Sequence, residues 1–175
     1  MLETALGTLR GRLPESDIRW VPSEQRHLTL RFFEELPEDR VEDVRGAAAA
    51  AAAGAPTFCL DLEGVGCFPG RGPAKVVWAG CGAGREALVH LAAALARELA
   101  GRGFPGDTRP FSPHLTLARS RNPRGSFAAA AAVRRSSVTA GQLGRVRVEA
   151  LLLIRSTLGS GPPRHEVLGT FPLAV

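Results

Sequence analysis

The sequence predicts an α+β protein of two pseudo-symmetric lobes, mainly antiparallel sheet with outer helices, around a central cleft. Three observations carry this. Strand-like segments come in neighbouring pairs joined by Gly- and Pro-rich turns; two longer segments have helical character; and the tetrapeptide His-Leu-Thr-Leu occurs twice, from His27 and from His114, about half the chain apart, which suggests one histidine strand in each lobe. At 175 residues with 45% hydrophobic content, the chain fits one domain over residues 1–175 with apolar side chains enough for a sizeable core.

The elements follow in order. Residues 2–12 read as a short helix ended by Pro14, and Ile18 to Val21 as a strand interrupted by Pro22. Arg26 to Phe33 carries β-compatible side chains around the first motif. Pro37, the acidic residues after it and the alanine run Ala47–Ala53 predict a helix stopped by Gly54 and Pro56. Phe58–Leu62 and Lys75–Ala79 read as an antiparallel pair with a loop at Gly70–Pro73. Leu88, Leu91, Leu95 and Leu99 share one face of a helix from Arg85 to Leu99, which Gly101 and Gly103 end. Arg109–Pro113 leads into a strand from His114 to Arg119. Residues 121–139 form a loop or short helix, and strands at about Arg145–Ile154 and Arg164–Leu168, with a turn at Gly159–Pro163, close the chain.

The net charge of +5 comes almost wholly from arginine, since Lys75 is the only lysine. That favours a phosphate-bearing partner, although a genome-wide codon preference would leave the same mark. Cys59, Cys67 and Cys81 are odd in number and lack CxxC spacing, which points to reduced core thiols, not a disulfide framework or zinc site. With no leader-like opening and no apolar run long enough to span a bilayer, the expected setting is cytoplasmic, with no membrane partner. His90 reads as a helix-surface residue. Gly80 to Gly84 lacks the lysine of a phosphate-binding loop and reads as a turn.

The chemistry lies in the two motifs. Side chains alternate along a strand, so His27 points with Thr29 and His114 with Thr116. Two imidazoles and two hydroxyls converging on one ligand outline a phosphodiester site. One histidine activates water and the other protonates the departing oxygen; each such transfer is commonly worth about 10²–10⁴-fold in rate, and imidazole titrates in the range that permits both roles. Threonine hydroxyls and a guanidinium can hold the non-bridging oxygens, so no metal or other cofactor is called for. One such tetrapeptide in a strand is ordinarily structural; two identical ones are not explained that way.

These residues resemble the two-histidine phosphoesterase superfamily, and within it the LigT-like RNA 2′,3′-cyclic phosphodiesterases. The extended motifs His27-Leu28-Thr29-Leu30-Arg31-Phe32 and His114-Leu115-Thr116-Leu117-Ala118-Arg119 carry the likeness, together with Arg19-Trp20-Val21, Val76 to Gly80 and Arg109 to Pro113. The resemblance implies hydrolysis of RNA 2′,3′-cyclic phosphate ends to 2′-phosphomonoesters by a monomer. It implies His27 as general acid toward O3′, His114 as general base toward water, Thr29, Thr116 and Arg119 on the phosphate, and Phe32 stacked on the terminal base. Phe32 and Arg119 each lie five residues after their histidine, an odd step that puts them on the opposite face of a regular strand, so a bend or bulge is required. Arg31, an even step from His27, is the reserve phosphate contact.

Two departures from the family pattern stand out. Members usually open with a strand of the type Arg-x-Phe-x-Ala, whereas Met1-Leu2-Glu3 is helix-like, so that strand is expected to be absent, leaving a sheet edge exposed. His165 stands where members usually have tyrosine. Rival functions are 2′-5′ RNA ligation, hydrolysis of a small cyclic nucleotide, and RNA binding without catalysis. Arg121, Arg124, Arg134 and Arg135 form either a basic rim for RNA or a solvated loop.

Overall fold

The computed structural model describes residues 6–7, 9–13, 15–107, 110–135, 142–157 and 163–175. Arg109 and most of the turn foreseen at Gly159–Pro163 lie outside them. The described strands are β1 (Ile18–Trp20), β2 (Phe58–Phe68), β3 (Val76–Cys81), β4 (Leu115–Ser120), β5 (Gln142–Val148), β6 (Ala150–Thr157) and β7 (Arg164–Pro172), and the helices are α1 (Val41–Ala53), α2 (Arg85–Ala100) and α3 (Phe127–Arg134). Short 3-10 turns occupy Ser23–Gln25 and Glu38–Arg40. An α+β architecture with antiparallel sheet follows, as the sequence predicts.

The chain divides into two compact units. The first comprises Met1–Thr29, Leu60–Arg85 and Pro113–Val146, and holds nearly all of a five-stranded sheet in the order β1-β4-β3-β2-β5. One side of this sheet is apolar. Ile18, Val77, Ala79, Leu115 and Leu117 are buried against Leu6, Leu9 and Leu13 and against Ala129, Ala130 and Val133 of α3. Residues 6–7 and 9–10 are helical, in keeping with the helix expected at the start. Ser126 caps α3 by accepting from the Ala129 N–H at 3.0 Å while donating to Asp17 Oδ2 at 2.6 Å, which ties the helix start to the approach to β1.

The second unit comprises Leu30–Cys59, Glu86–Ser112 and Arg147–Val175. Here β6 and β7 form an antiparallel pair, and α1 and α2 supply the core with Val44, Ala47, Ala51, Leu91, Leu95 and Leu99. Glu42 and Asp43 in the first turn of α1 complement its dipole, and its small alanines line the buried face. At the end of α2, Gly103 takes φ +79, its N–H donates to Ala100 O, and the Phe104 N–H donates to Leu99 O, each at 3.0 Å. Only glycine enters that left-handed cap without strain, which is why the helix stops there.

Several expectations need correction. The strand foreseen from Arg145 to Ile154 breaks at Glu149: β5 belongs to the five-stranded sheet and β6 pairs with β7. Arg26–Phe33 is no strand, its only bridge being at Leu28. The two motifs do not fall one to a lobe, because His27 and His114 both belong to the first unit. Among the thiols only Cys67 is buried; Cys81 is half-buried and Cys59 exposed. His90 is exposed on α2, and among the described residues no helix is long and apolar enough to cross a membrane.

Candidate active site

β4 organises the candidate site. On one flank it pairs with β3, which sets Trp78 opposite Thr116 and Ala79 opposite Leu115. On the other flank β1 sets Trp20 opposite Ala118, and the Val21 N–H donates to Leu117 O at 2.9 Å. The chain then loops through Pro22 and the 3-10 turn, and returns to β4 where Leu28 bridges Leu115 in antiparallel sense. Pro22 lacks the donor that would continue the ladder, so a loop at this point is what the sequence dictates.

That single bridge brings the motifs together. In its register His27 stands across from Thr116, and Thr29 across from His114. Leu28 and Leu115 point into the first core, so alternation turns both histidines and both threonines to the other face. Each histidine is thus beside the other motif's threonine. Residues directly opposed have Cβ atoms about 4.5–5.5 Å apart and diagonal neighbours about 7–8 Å, a spacing that lets two imidazoles reach opposite sides of one phosphorus. His27 and Thr29 are exposed, His114 and Thr116 half-buried.

A bulge in β4 settles where Arg119 points. Val77 pairs with Ala118 but Trp78 with Thr116, so β4 spends one more residue than β3 at Leu117. The extra residue restores parity. Val76 and Trp78 share a face of β3, and their partners Arg119 and Thr116 therefore share one too. The bulge required by the odd step from His114 to Arg119 is present, and Arg119 is exposed on the face of the histidines.

The histidines have different surroundings. His27 Nδ1 lies 2.8 Å from Gln25 O; a carbonyl only accepts, so this nitrogen carries the proton and Nε2 is left as the exchanging one. His114 stands against aromatic rings, with Phe68 at 5.1 Å in an edge-to-face arrangement at 84° and Trp78 at 6.4 Å. Gly66 makes this wall possible, because any Cβ there would run into the Trp78 indole. Sequence reasoning missed Phe68 and Gly66 as site residues. Their only signal was alternation along β2, legible once its register with β3 is known.

Phe32, Arg31 and His165 lie in the second unit, whereas Arg121, Arg124, Arg134 and Arg135 belong to the first. Phe32 is 67% exposed. Arg31 is engaged elsewhere: it pairs with Asp107 at 2.6 Å, donates to Pro105 O at 2.8 Å and covers the Phe33 ring. It anchors the segment 105–107, which displaces it as a reserve phosphate ligand. His165 Nδ1 is 3.0 Å from Ser156 Oγ across the β6–β7 pair.

The family model of the 2′-5′ RNA ligase superfamily matches residues 2–159. The chain belongs to that superfamily. Its relatives include the RNA 2′,3′-cyclic phosphodiesterase of Thermus thermophilus, 35% identical over 159 residues covering 87% of this chain and 74% of that protein. The enzyme of the same name from Aeropyrum pernix is 29% identical, over 93% of this chain and 92% of that one. The one from Geobacillus stearothermophilus is 32% identical over 88% of this chain; the match spans about half of that longer protein, 47%. Among solved structures, E. coli LigT complexed with 3′-AMP superposes with a TM-score of 0.74 at 25% identity, covering 99% of this chain and 91% of LigT. A crystal structure from Thermus thermophilus reaches 0.78 at 29% identity, covering 98% of this chain and 91% of that one.

Proposed function

We propose that this protein is an RNA 2′,3′-cyclic phosphodiesterase that opens the cyclic phosphate to a 2′-phosphomonoester. The observation that carries the reading is the Leu28–Leu115 bridge, which sets both His-x-Thr motifs on one sheet face in interlocked register. Several relatives bear that enzyme's name.

In the proposed mechanism His114 takes a proton from water as its oxygen attacks phosphorus, and the P–O3′ bond breaks as His27 delivers a proton to O3′ from Nε2. One P–O bond forms and one breaks. The Gln25 carbonyl accepts from Nδ1–H of His27 and so fixes the ring for that donation. The Phe68 ring packs edge-to-face against the His114 ring. Thr29, Thr116 and Arg119 bind the non-bridging oxygens as charge develops. Phe32 takes the terminal base, a role that rests on its place in the motif and its exposed ring; such stacking contributes about 1–3 kcal/mol. Residues 1–175 work as one two-lobed catalytic domain, a cytoplasmic monomer in keeping with its three free thiols.

The superfamily's ligase name raises a parallel transesterification, in which a ribose 5′-hydroxyl replaces water as the nucleophile and the same P–O3′ bond breaks. Incubating the purified protein with an RNA ending in 2′,3′-cyclic phosphate, with and without a 5′-hydroxyl RNA, separates the two. A 2′-phosphate end is expected in both; an unchanged cyclic end overturns the reading, and a joined product with no 2′-phosphate replaces hydrolysis by ligation.

A further inference from the structure

Arg19 is a basic residue of the same sheet face that the mechanism above does not use. It stands directly opposite Arg119 in the β1–β4 register, and Arg119 in turn stands opposite Val76. Ile18 and Trp20 on either side of it pack into the first core, so Arg19 turns to the face that carries Thr116 and His114. Like charges directly opposed across a ladder destabilise a sheet. Among the described residues neither guanidinium has an ion pair, whereas Arg31, Arg40, Arg45, Arg102, Arg145, Arg147 and Arg155 all do. Two unneutralised guanidinium groups side by side on a face that handles phosphate call for an anion.

Position along the sheet says which one. Arg119 follows Thr116 after the bulge, which sets the Arg19–Arg119 row about two strand steps, roughly 7 Å, beyond the row of His27 and Thr116. Arg19 is one strand further out, on β1. A phosphate held at the histidines is within reach of the long Arg119 side chain, while Arg19 is offset toward the next one along the chain. We infer that Arg19 binds the phosphodiester on the 5′ side of the terminal nucleotide, a subsite that makes the enzyme prefer RNA ends over a mononucleotide 2′,3′-cyclic phosphate. This rests on the function proposed above.

The test compares wild type, Arg19→Ala and Arg19→Lys on a mononucleotide 2′,3′-cyclic phosphate and on a trinucleotide with the same cyclic end. In Arg19→Ala, KM for the trinucleotide is expected to rise about tenfold with kcat kept, from loss of one charge-assisted hydrogen bond at a partly exposed site. Mononucleotide kinetics should not change, and Arg19→Lys should recover part of the loss. Fluorescence anisotropy of labelled trinucleotide 2′-phosphate reads the same subsite without turnover, and the slope of log affinity against log salt should fall by about one phosphate's worth. An equal loss on both substrates, or no loss on either, overturns the inference while leaving the phosphodiesterase reading intact. A wild type that binds the labelled trinucleotide but turns over neither substrate sinks that reading instead, and the anisotropy comparison still decides on Arg19.

Discussion

Leu28 and Leu115 bridge across β4 with their side chains in the first core, so the pair that aligns the two motifs lies beneath the histidines and does not include them. Stability and catalysis are therefore separable here. His27→Ala and His114→Ala should each lose about 10²–10⁴-fold in turnover on a cyclic RNA end, with thermal midpoints close to that of the wild type, since His27 is exposed and His114 is only partly buried. Leu115→Ala should do the reverse at the level of the fold, lowering stability by about 2–5 kcal/mol in urea titration. Full turnover in either histidine variant would remove the two-histidine mechanism.

Gly66 and Trp78 should behave as a coupled pair. Gly66→Ala forces the indole off β2, which costs about 1–3 kcal/mol of stability and lowers kcat through the displaced wall around His114. Trp78→Ala removes the obstruction, so in a double-mutant cycle the Gly66→Ala penalty should nearly vanish in the Trp78→Ala background. Additive penalties would show that the glycine serves something other than the indole.

Arg119 is held to the histidine face by the bulge at Leu117. Arg119→Ala is expected to reduce kcat/KM by about 10²-fold or more, as loss of a group that meets developing charge commonly does. Arg119→Lys should restore only a fraction, because an ammonium cannot bind two oxygens in a planar fork. Steady-state kinetics on one cyclic substrate checks both, and a fully active Arg119→Ala contradicts the assignment.

The three thiols should react in order of exposure. Burial pushes the Cys67 and Cys81 thiols up, against the smaller opposing effects of Arg134 and Arg85. A raised pKa means less thiolate, the reactive form, at any pH below it, so their labelling should grow only as pH rises. Cys59, exposed, should be alkylated first at neutral pH, with Cys67 last. Peptide mapping by mass spectrometry after timed alkylation reads the order, and early labelling of Cys67 would contradict it.

Much of this was legible in the residues alone. Alanine-rich α1, the leucine stripe of α2 and its Gly103 stop depend on neighbours within a few positions, and local chemistry determines them. The two tetrapeptides are legible as a repeat, the role of Arg119 is what the family resemblance implies, and strand parity then requires a bulge before it.

Partnership is what the tertiary structure alone decided. Nothing near Leu28 in sequence says that it bridges Leu115, so the expectation of one motif per lobe failed, and Arg26–Phe33 proved to be a loop carrying one bridge. Glu149 breaks an apparently continuous strand because its two halves serve different sheets, a choice made by cores distant in sequence. Gly66, Phe68 and Arg19 gain meaning only from the register of β2, β3, β1 and β4, since a side chain's place on a sheet depends on what lies across from it. The sequence by itself determined which groups are candidates for the chemistry; the non-local pairing along β4 decided which of them share a sheet face.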